Sequence, residues 1–248
     1  MLEVSQLAVN YRGVTALENI SFTLNTGQLL GVIGPNGAGK STMLKAMLGL
    51  VPVVSGLIRF GQESLDRHLR QIAYVPQRSQ IDWDYPATVW DVVMMARTVR
   101  TGWFRSHSRR SREVVTQALQ RVGIWDLRQQ PIGQLSGGQQ QRVFLARSLA
   151  QEAELFFFDE PFSSVDAATE EIIFDVFAEL KAQGKTLVVV SHDLGETLER
   201  YDRLLLLSQR QIAFGAVGEV VTSENLRRAY GDPRNRHIFS PREGLLSC

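Results

Sequence analysis

The stretch Gly34 to Ser41, GPNGAGKS, constrains this chain more than any other part of it. An apolar run, QLLGVI at 28–33, precedes it, and Met43, Leu44, Met47 and Leu48 follow at the spacing of one helix face. Strand, glycine-rich turn and helix in that order match G-x-x-x-x-G-K-[ST], a loop that wraps a polyphosphate. Glycines let the loop amides turn inward without side-chain clashes, and the helix start adds partial positive charge. Gly34, Pro35, Asn36, Gly37, Ala38, Gly39, Lys40, Ser41 and Thr42 are therefore assigned to nucleotide binding. Lys40 is expected to reach the β- and γ-phosphates and Ser41 to ligate Mg²⁺.

Two further runs, LFFF at 155–158 and LVVV at 187–190, are continuously apolar, as parallel strands buried on both faces should be. Each ends in polar residues, Asp159-Glu160 and Ser191-His192. Ligands of open α/β sheets sit beyond the carboxyl ends of such strands, so three strand ends point at one crevice. Asp159 is expected to hold the Mg²⁺ shell and Glu160 to polarise an attacking water. Neighbours on an extended strand point to opposite sides, which would divide the labour between the two acids. Segments 2–9, 20–24 and 57–60 alternate and predict a small antiparallel sheet beside the parallel core. The interval 79–134 reads as a helical insertion, with Val114, Val115, Ala118, Leu119 and Val122 on one face and Gly123 as a stop. An amphipathic helix is expected over 168–183, closed by Gly184, and the polar tail 232–248 is expected to be loosely ordered beyond a domain spanning 1–231.

Composition removes several functional classes. The only cysteine of the 248 residues is Cys248, so neither an internal disulfide nor a cysteine-based metal cage can form. Lys plus Arg is 27 against 26 for Asp plus Glu, a balance without a field to gather nucleic acid. The opening MLEVSQLAVNY lacks the basic start and apolar run of a signal peptide. No apolar stretch approaches the ~20 residues needed to span a bilayer, so any membrane role is expected to pass through a partner chain.

Ser136, Gly137, Gly138 and Gln139, within LSGGQ, precede a helix expected over 139–150. Read alone, the turn is either a plain N-cap or a phosphate site built from exposed amides and a hydroxyl at a positive helix end. Together with GPNGAGKS, FFFDEP, Gln77 in YVPQ and His192 in VVSHD, it resembles the ATPase subunit of ABC transporters over nearly all of Leu2 to Tyr230. The resemblance implies an α/β P-loop NTPase of ABC type, with ATP and Mg²⁺ as cofactors. It places Tyr11 against adenine, Gln77 on Mg²⁺ and the attacking water, and His192 on the γ-phosphate, holding Glu160 and water in line. Asp166, in SSVD, matches the loop that crosses between protomers. Ser136 and Gly138 are implied to close over the ATP of a second copy in a head-to-tail dimer, with glutamine and glycine neighbours completing the turn.

Residues 78–104, RSQIDWDYPATVWDVVMMARTVRTGWF, resemble the branch of these importers that carries manganese, iron and zinc, nearest to the manganese and iron members. The implied function is a peripheral ATPase on the cytoplasmic face of the cell membrane. It would dock on an integral membrane permease, with a solute-binding protein acting indirectly. The alternative is a soluble ABC-type ATPase of an assembly system such as iron–sulfur cluster building. Trp83, Tyr85 and Trp90 read either as a partner surface or as packing inside the insertion. Asp82 and Asp84 read as solvated or helix-capping. Six arginines between Arg97 and Arg112, with Trp103 and Phe104 interleaved, read as a solvated face or as neighbours of anionic lipid headgroups, not a nucleic-acid groove. His68, His107 and His237 are expected to be solvated.

Overall fold

The computed structural model describes residues 1–11, 13–101, 107–163 and 165–231. Its strands, in chain order, are β1 (Leu2–Tyr11), β2 (Val14–Leu24), β3 (Leu29–Ile33), β4 (Ser55–Phe60), β5 (Glu63–Ser64), β6 (Ile72–Val75), β7 (Leu155–Asp159), β8 (Thr186–Val190), β9 (Arg203–Ser208) and β10 (Arg210–Gly215). The helices are α1 (Lys40–Met47), α2 (Val89–Thr101), α3 (Arg109–Arg121), α4 (Gly137–Ala150), α5 (Ala167–Ala182), α6 (Val217–Val220) and α7 (Ser223–Tyr230). Strand order is β5-β4-β1-β2-β10-β9-β3-β8-β7-β6. From β9 to β6 every pairing is parallel, whereas β1, β2, β4 and β5 pair antiparallel. The two parts meet where Arg210 of β10 lies opposite Glu18 of β2.

Continuous apolar runs form the parallel strands because helices cover one face and α1 with the antiparallel strands covers the other. Period-two alternation then sorts each run between two cores. Leu155, Phe157, Val188, Val190, Leu205 and Leu207 enter one core with Met43, Leu44 and Met47 of α1. Phe156, Phe158, Leu187, Val189, Leu204 and Leu206 enter the other with α2, α3, α4 and α5. Each fully buried Phe, Leu or Val side chain contributes roughly 1.5–3 kcal/mol of transfer free energy. At Gly31 in β3 there is room for no side chain: a Cβ would stand 2.7 Å from Leu204 Cδ2 and 2.9 Å from the Tyr201 ring.

Helix boundaries follow the expected chemistry. Ser108, Ser136 and Asp166 cap α3, α4 and α5, accepting from Ser111 N, Gln139 N and Thr169 N. Gly123 and Gly184 carry the positive φ, 67° and 76°, that ends a helix without strain. Between Arg78 and Gln134 the described residues hold α2, α3 and 3-10 turns at 78–80, 125–127 and 132–134, with one isolated bridge between Thr88 and Pro131. Among the described residues, no helix is long and apolar enough to cross a membrane.

The packing corrects some expectations, at Arg97, His68 and His107, and decides between open readings at others. Arg97, read as part of a solvated face or as a neighbour of anionic lipid headgroups, is 4% exposed: it donates to Ala150 O at 2.8 Å and pairs with Glu152 at 2.6 Å, pinning α2 to the end of α4. Arg110 meets the same carboxylate at 3.1 Å, so part of the arginine run is a clamp between helices. His68 and His107 are half-buried. The His68 ring stands edge-on to Phe60 at 5.6 Å because the 3-10 turn at 65–71 folds back on β4. Trp83 and Trp90 are half-buried too, set edge-on to Phe144 and Trp125, while Tyr85 is 54% exposed. Asp82 accepts from Asp84 N at 3.1 Å, the hydrogen bond of a tight turn. Readings placed on Trp103, Phe104, Arg105, His237 and the tail 232–248 lie outside the described residues, and those on the Arg100 and Tyr11 side chains lie outside the described side chains.

An aromatic cluster braces the end of β7. Phe177 of α5 is 1% exposed and lies 4.7 Å from Phe158, 5.9 Å from Phe174 and 6.1 Å from Phe162, ring centre to ring centre. Phe177→Ala should lower unfolding free energy by about 3–5 kcal/mol, the cost of a large cavity. Urea titration followed by far-UV circular dichroism checks it, and a loss under about 1 kcal/mol would show that the cluster collapses freely or is not packed as described.

Candidate nucleotide site

Four neighbouring parallel strands, β3, β8, β7 and β6, deliver the site from one edge of the sheet. After β3 the chain enters the glycine loop. Gly34 has φ 149°, and a Cβ there would run into the Leu207 carbonyl oxygen of β9. Gly39, the residue before α1, has φ 93°, and a Cβ would stand 2.7 Å from Ala16 O and 2.5 Å from the Leu17 side chain. Bare backbone is thus required at both ends of the loop. No side chain caps α1 and no acid occupies its first turn, which leaves its first amides for an anion.

The loop residues Asn36, Gly37, Ala38, Gly39, Lys40, Ser41 and Thr42 line a cleft of about 470 Å³ whose other walls are Gln77, Glu160 and His192. Gly34 and Pro35 hold Lys40 through their carbonyls: Lys40 Nζ donates to Gly34 O at 2.8 Å and Pro35 O at 3.1 Å. An ammonium group has three protons, so one stays free for a ligand. Lys40 is 6% exposed, and burial pushes its pKa below the ordinary lysine value despite the nearby carboxylates of Glu160 and Asp159. A buried ammonium held by neutral carbonyls is an electrostatic deficit that a polyphosphate would fill.

Ser41 Oγ donates to Asp159 Oδ1 at 2.8 Å, tying the first turn of α1 to the end of β7. Asp159 is 1% exposed, and its Oδ2 is buried without a hydrogen-bond partner among the described residues. Burial, chiefly, holds its carboxyl above the usual carboxylate range, with Glu160 adding to the rise. A buried carboxylate oxygen lacking a proton donor, beside a hydroxyl, is the donor set of a hard divalent cation. Lys45, one turn along α1 from Ser41, opposes that rise electrostatically; the i,i+4 spacing was the sequence signal for it.

Glu160 departs from the expected strand geometry. β7 ends at Asp159, and Glu160 takes φ 54°, the left-handed region that a glutamate rarely occupies. The two acids therefore do not alternate across an extended strand. The chain turns after Asp159, its direction fixed by Glu160 N donating to Val190 O at 3.1 Å, and Glu160 lines the cleft while Asp159 stays buried against Ser41. Gln77 Nε2 donates to Glu160 Oε2 at 2.8 Å, and His192 Nδ1 stands 3.9 Å from that oxygen with its ring more than half exposed. β6, too short to be read from periodicity, is what brings Gln77 there.

Ser136, Gly137, Gly138 and Gln139 are not brought to this cleft. Ser136 is exposed and forms a reciprocal cap with Gln139: its hydroxyl accepts from Gln139 N at 3.3 Å and its amide donates to Gln139 Oε1 at 2.8 Å. Asp166 Oδ1 accepts from Thr169 N at 2.8 Å, and the Thr169 hydroxyl first, with that amide second, holds its carboxyl below the ordinary range. A Cβ at Gly138 would stand 2.8 Å from Thr169 Oγ1, so the Ser136 turn and the helix that Asp166 caps are neighbours.

The ABC transporter family matches residues 17–163, which run from the strand behind the glycine loop to the residues beyond Glu160. The chain belongs to the ABC transporter family. This ATPase is 46% identical over 250 residues to the manganese transport system ATP-binding protein MntB of Halalkalibacterium halodurans, covering 99% of this chain and 97% of that protein. It is 47% identical over 238 residues to the zinc transport system ATP-binding protein TroB of Treponema pallidum, covering 96% and 90%. Among solved structures it superposes on one provisionally assigned to a metal-chelate type ABC transporter in an inward-facing conformation. There the TM-score is 0.81 and the identity 31%, over 92% of this chain and 88% of that one.

Asp159→Asn keeps an acceptor for Ser41 and removes a charge that burial disfavours. In chelator at neutral pH the variant ATPase should melt higher than the parent, on the order of 2–4 °C for each kcal/mol of relief, by scanning calorimetry. An unchanged or lowered midpoint would show that the lysines, not burial, dominate at Asp159.

Proposed function

We propose that this ATPase sits on the cytoplasmic face of the cell membrane and powers import of a divalent metal ion, manganese foremost with iron or zinc as the other candidates, through a separate integral membrane permease. The observation that carries the catalytic half is the convergence of Lys40, Ser41, Gln77, Glu160 and His192 on one cleft. Transport rather than cluster assembly is favoured by the relatives' names, those of manganese and zinc transport systems. A solute-binding protein would deliver the ion to the permease.

In the proposed reaction the loop amides from Gly37 to Thr42 and the Lys40 ammonium hold the β- and γ-phosphates of ATP, with the Tyr11 ring on adenine. Ser41, Asp159 and the Gln77 amide oxygen would hold Mg²⁺, which when bound neutralises charge on the phosphate oxygens. Glu160 takes the proton of the water that attacks the γ-phosphorus as the bond to the bridging oxygen breaks. Gln77 orients that carboxylate, and His192 closes the last gap to the γ-phosphate. Ser136 is exposed and Gly137, Gly138 and Gln139 are half-buried away from this chain's own cleft, which suits a role on the nucleotide of a second copy arranged head to tail, with Asp166 near the same junction. Closure on ATP and release after hydrolysis then shift a conformational equilibrium that the permease feels. Exposed Tyr85 and Met95, beside and on α2, are the candidate permease contacts.

Glu160→Gln should lower phosphate release by at least ~10²-fold while ATP binding persists, because a general base is lost and the phosphate contacts are kept. Turnover close to the parent's would remove Glu160 from that role. For the cargo, cells lacking this chain should lose uptake of radioactive manganese, and Tyr85→Ala should reduce uptake while the isolated ATPase keeps its turnover. If deletion leaves uptake of manganese, iron and zinc untouched, the metal cargo is wrong even where the ATPase stands.

A further inference from the structure

The residue after Gln77 makes a link that the catalytic scheme does not use. Arg78 Nε donates to Gln140 Oε1 at 2.8 Å. Gln140 is 3% exposed, lies in the first turn of α4 and is pinned a second time, Nε2 donating to Ile132 O at 3.2 Å. Its backbone amide bonds to Ser136 O at 2.9 Å, so it moves with the Ser136 turn. On the other side, Trp83 Nε1 donates to Arg78 O at 3.1 Å, the Arg78 guanidinium lies 5.8 Å from the Trp83 ring centre, and that ring packs edge-on against Phe144, one turn beyond Gln140 on α4. Arg78 is thereby held to α4 through its side chain and, by way of Trp83, through its backbone.

We propose that Arg78 is a positioning residue that ties Gln77 in one nucleotide cleft to the Ser136 turn serving the other. The inference rests on the two-copy reading given above. Gln77 is hydrogen-bonded to Glu160, and a single peptide separates it from a side chain fixed to α4. When Gln77 shifts to engage a γ-phosphate, Arg78 must shift with it, and α4 carries Ser136, Gly137 and Gly138 along. A half-buried guanidinium bound to a neutral amide suits this task. The bond is charge-assisted on one side only, strong enough to transmit and weak enough to re-form.

The test uses the full chain with Glu160→Gln, in which ATP should hold the dimer, and reads its dissociation constant by analytical ultracentrifugation. ADP affinity and melting temperature are measured in parallel. Arg78→Met should weaken the ATP-dependent dimer roughly tenfold, the scale of one lost hydrogen bond to a charged group, with ADP affinity unchanged. Gln140→Met, which also frees the Ile132 carbonyl, should weaken it at least as much, and the double variant no further than Gln140→Met alone, because the Arg78–Gln140 bond is lost in each. Arg78→Lys, which retains a cationic donor, should recover part of the loss. Additive penalties, an unaffected dimer, or a fall in ADP affinity matching the fall in dimerisation would each overturn the link. Should Gln140→Met not fold, the comparison of Arg78→Met with Arg78→Lys decides. A Glu160→Gln parent that fails to dimerise on ATP while Arg78→Met lowers no other reading would instead sink the two-copy arrangement itself.

Discussion

Everything at the site depends on four parallel strands ending at one edge. Parallel pairing fixes the order in which β3, β8, β7 and β6 stop, and hence puts the loop after Ile33, Glu160, His192 and Gln77 within one cleft, with Asp159 against its Ser41. The register is held by buried apolar runs with a core on each face, so a slip of one residue would send Phe157 to the wrong core and turn the strand end away. Chemistry on this sheet is placed by hydrophobic sorting before any polar contact forms. The Ser41 to Asp159 hydrogen bond then locks α1 to β7 and sets the spacing between loop and acid.

Much of this was legible in the sequence because the signals were long or chemically singular. The glycine loop, the LFFF and LVVV strands and the capped helices each combine a pattern with a stop, and they fold where the pattern puts them. What escaped was short or two-sided. IAYV in β6 has four residues, too few for a period, and the β9–β10 hairpin turns at Gln209 with φ 59°, a residue type that gives no turn signal. Arg97 looked like surface because charge was counted along the chain, while its partners, Ala150 O and Glu152, lie more than fifty residues away. Trp83 and Trp90 left two readings open in the sequence, and only neighbours from α4 and the 125–127 turn could separate them.

The electrostatics at the cleft show a protein arranged around an absent balance of charge. Lys40 is buried with its pKa pushed down, Asp159 is buried with its pKa pushed up, and neither satisfies the other by contact. On the proposed reaction, both costs would fall with an anion on the loop and a cation beside Ser41. Binding and stability are linked here in the ordinary thermodynamic sense, since a ligand that prefers the folded chain stabilises it.

Glu160 carries a consequence beyond its carboxylate. Its left-handed backbone costs of order 1 kcal/mol or more for most residues with a side chain, and glycine, or to a lesser degree asparagine, would sit there with less strain. The local folding preference and the role proposed for Glu160 therefore pull this position in opposite directions. Selection for stability alone would drift toward a small residue that turns the chain comfortably and cannot move a proton. On the proposed reaction, a long acid at that turn is what a requirement for turnover would leave, in the backbone angle as much as in the side chain.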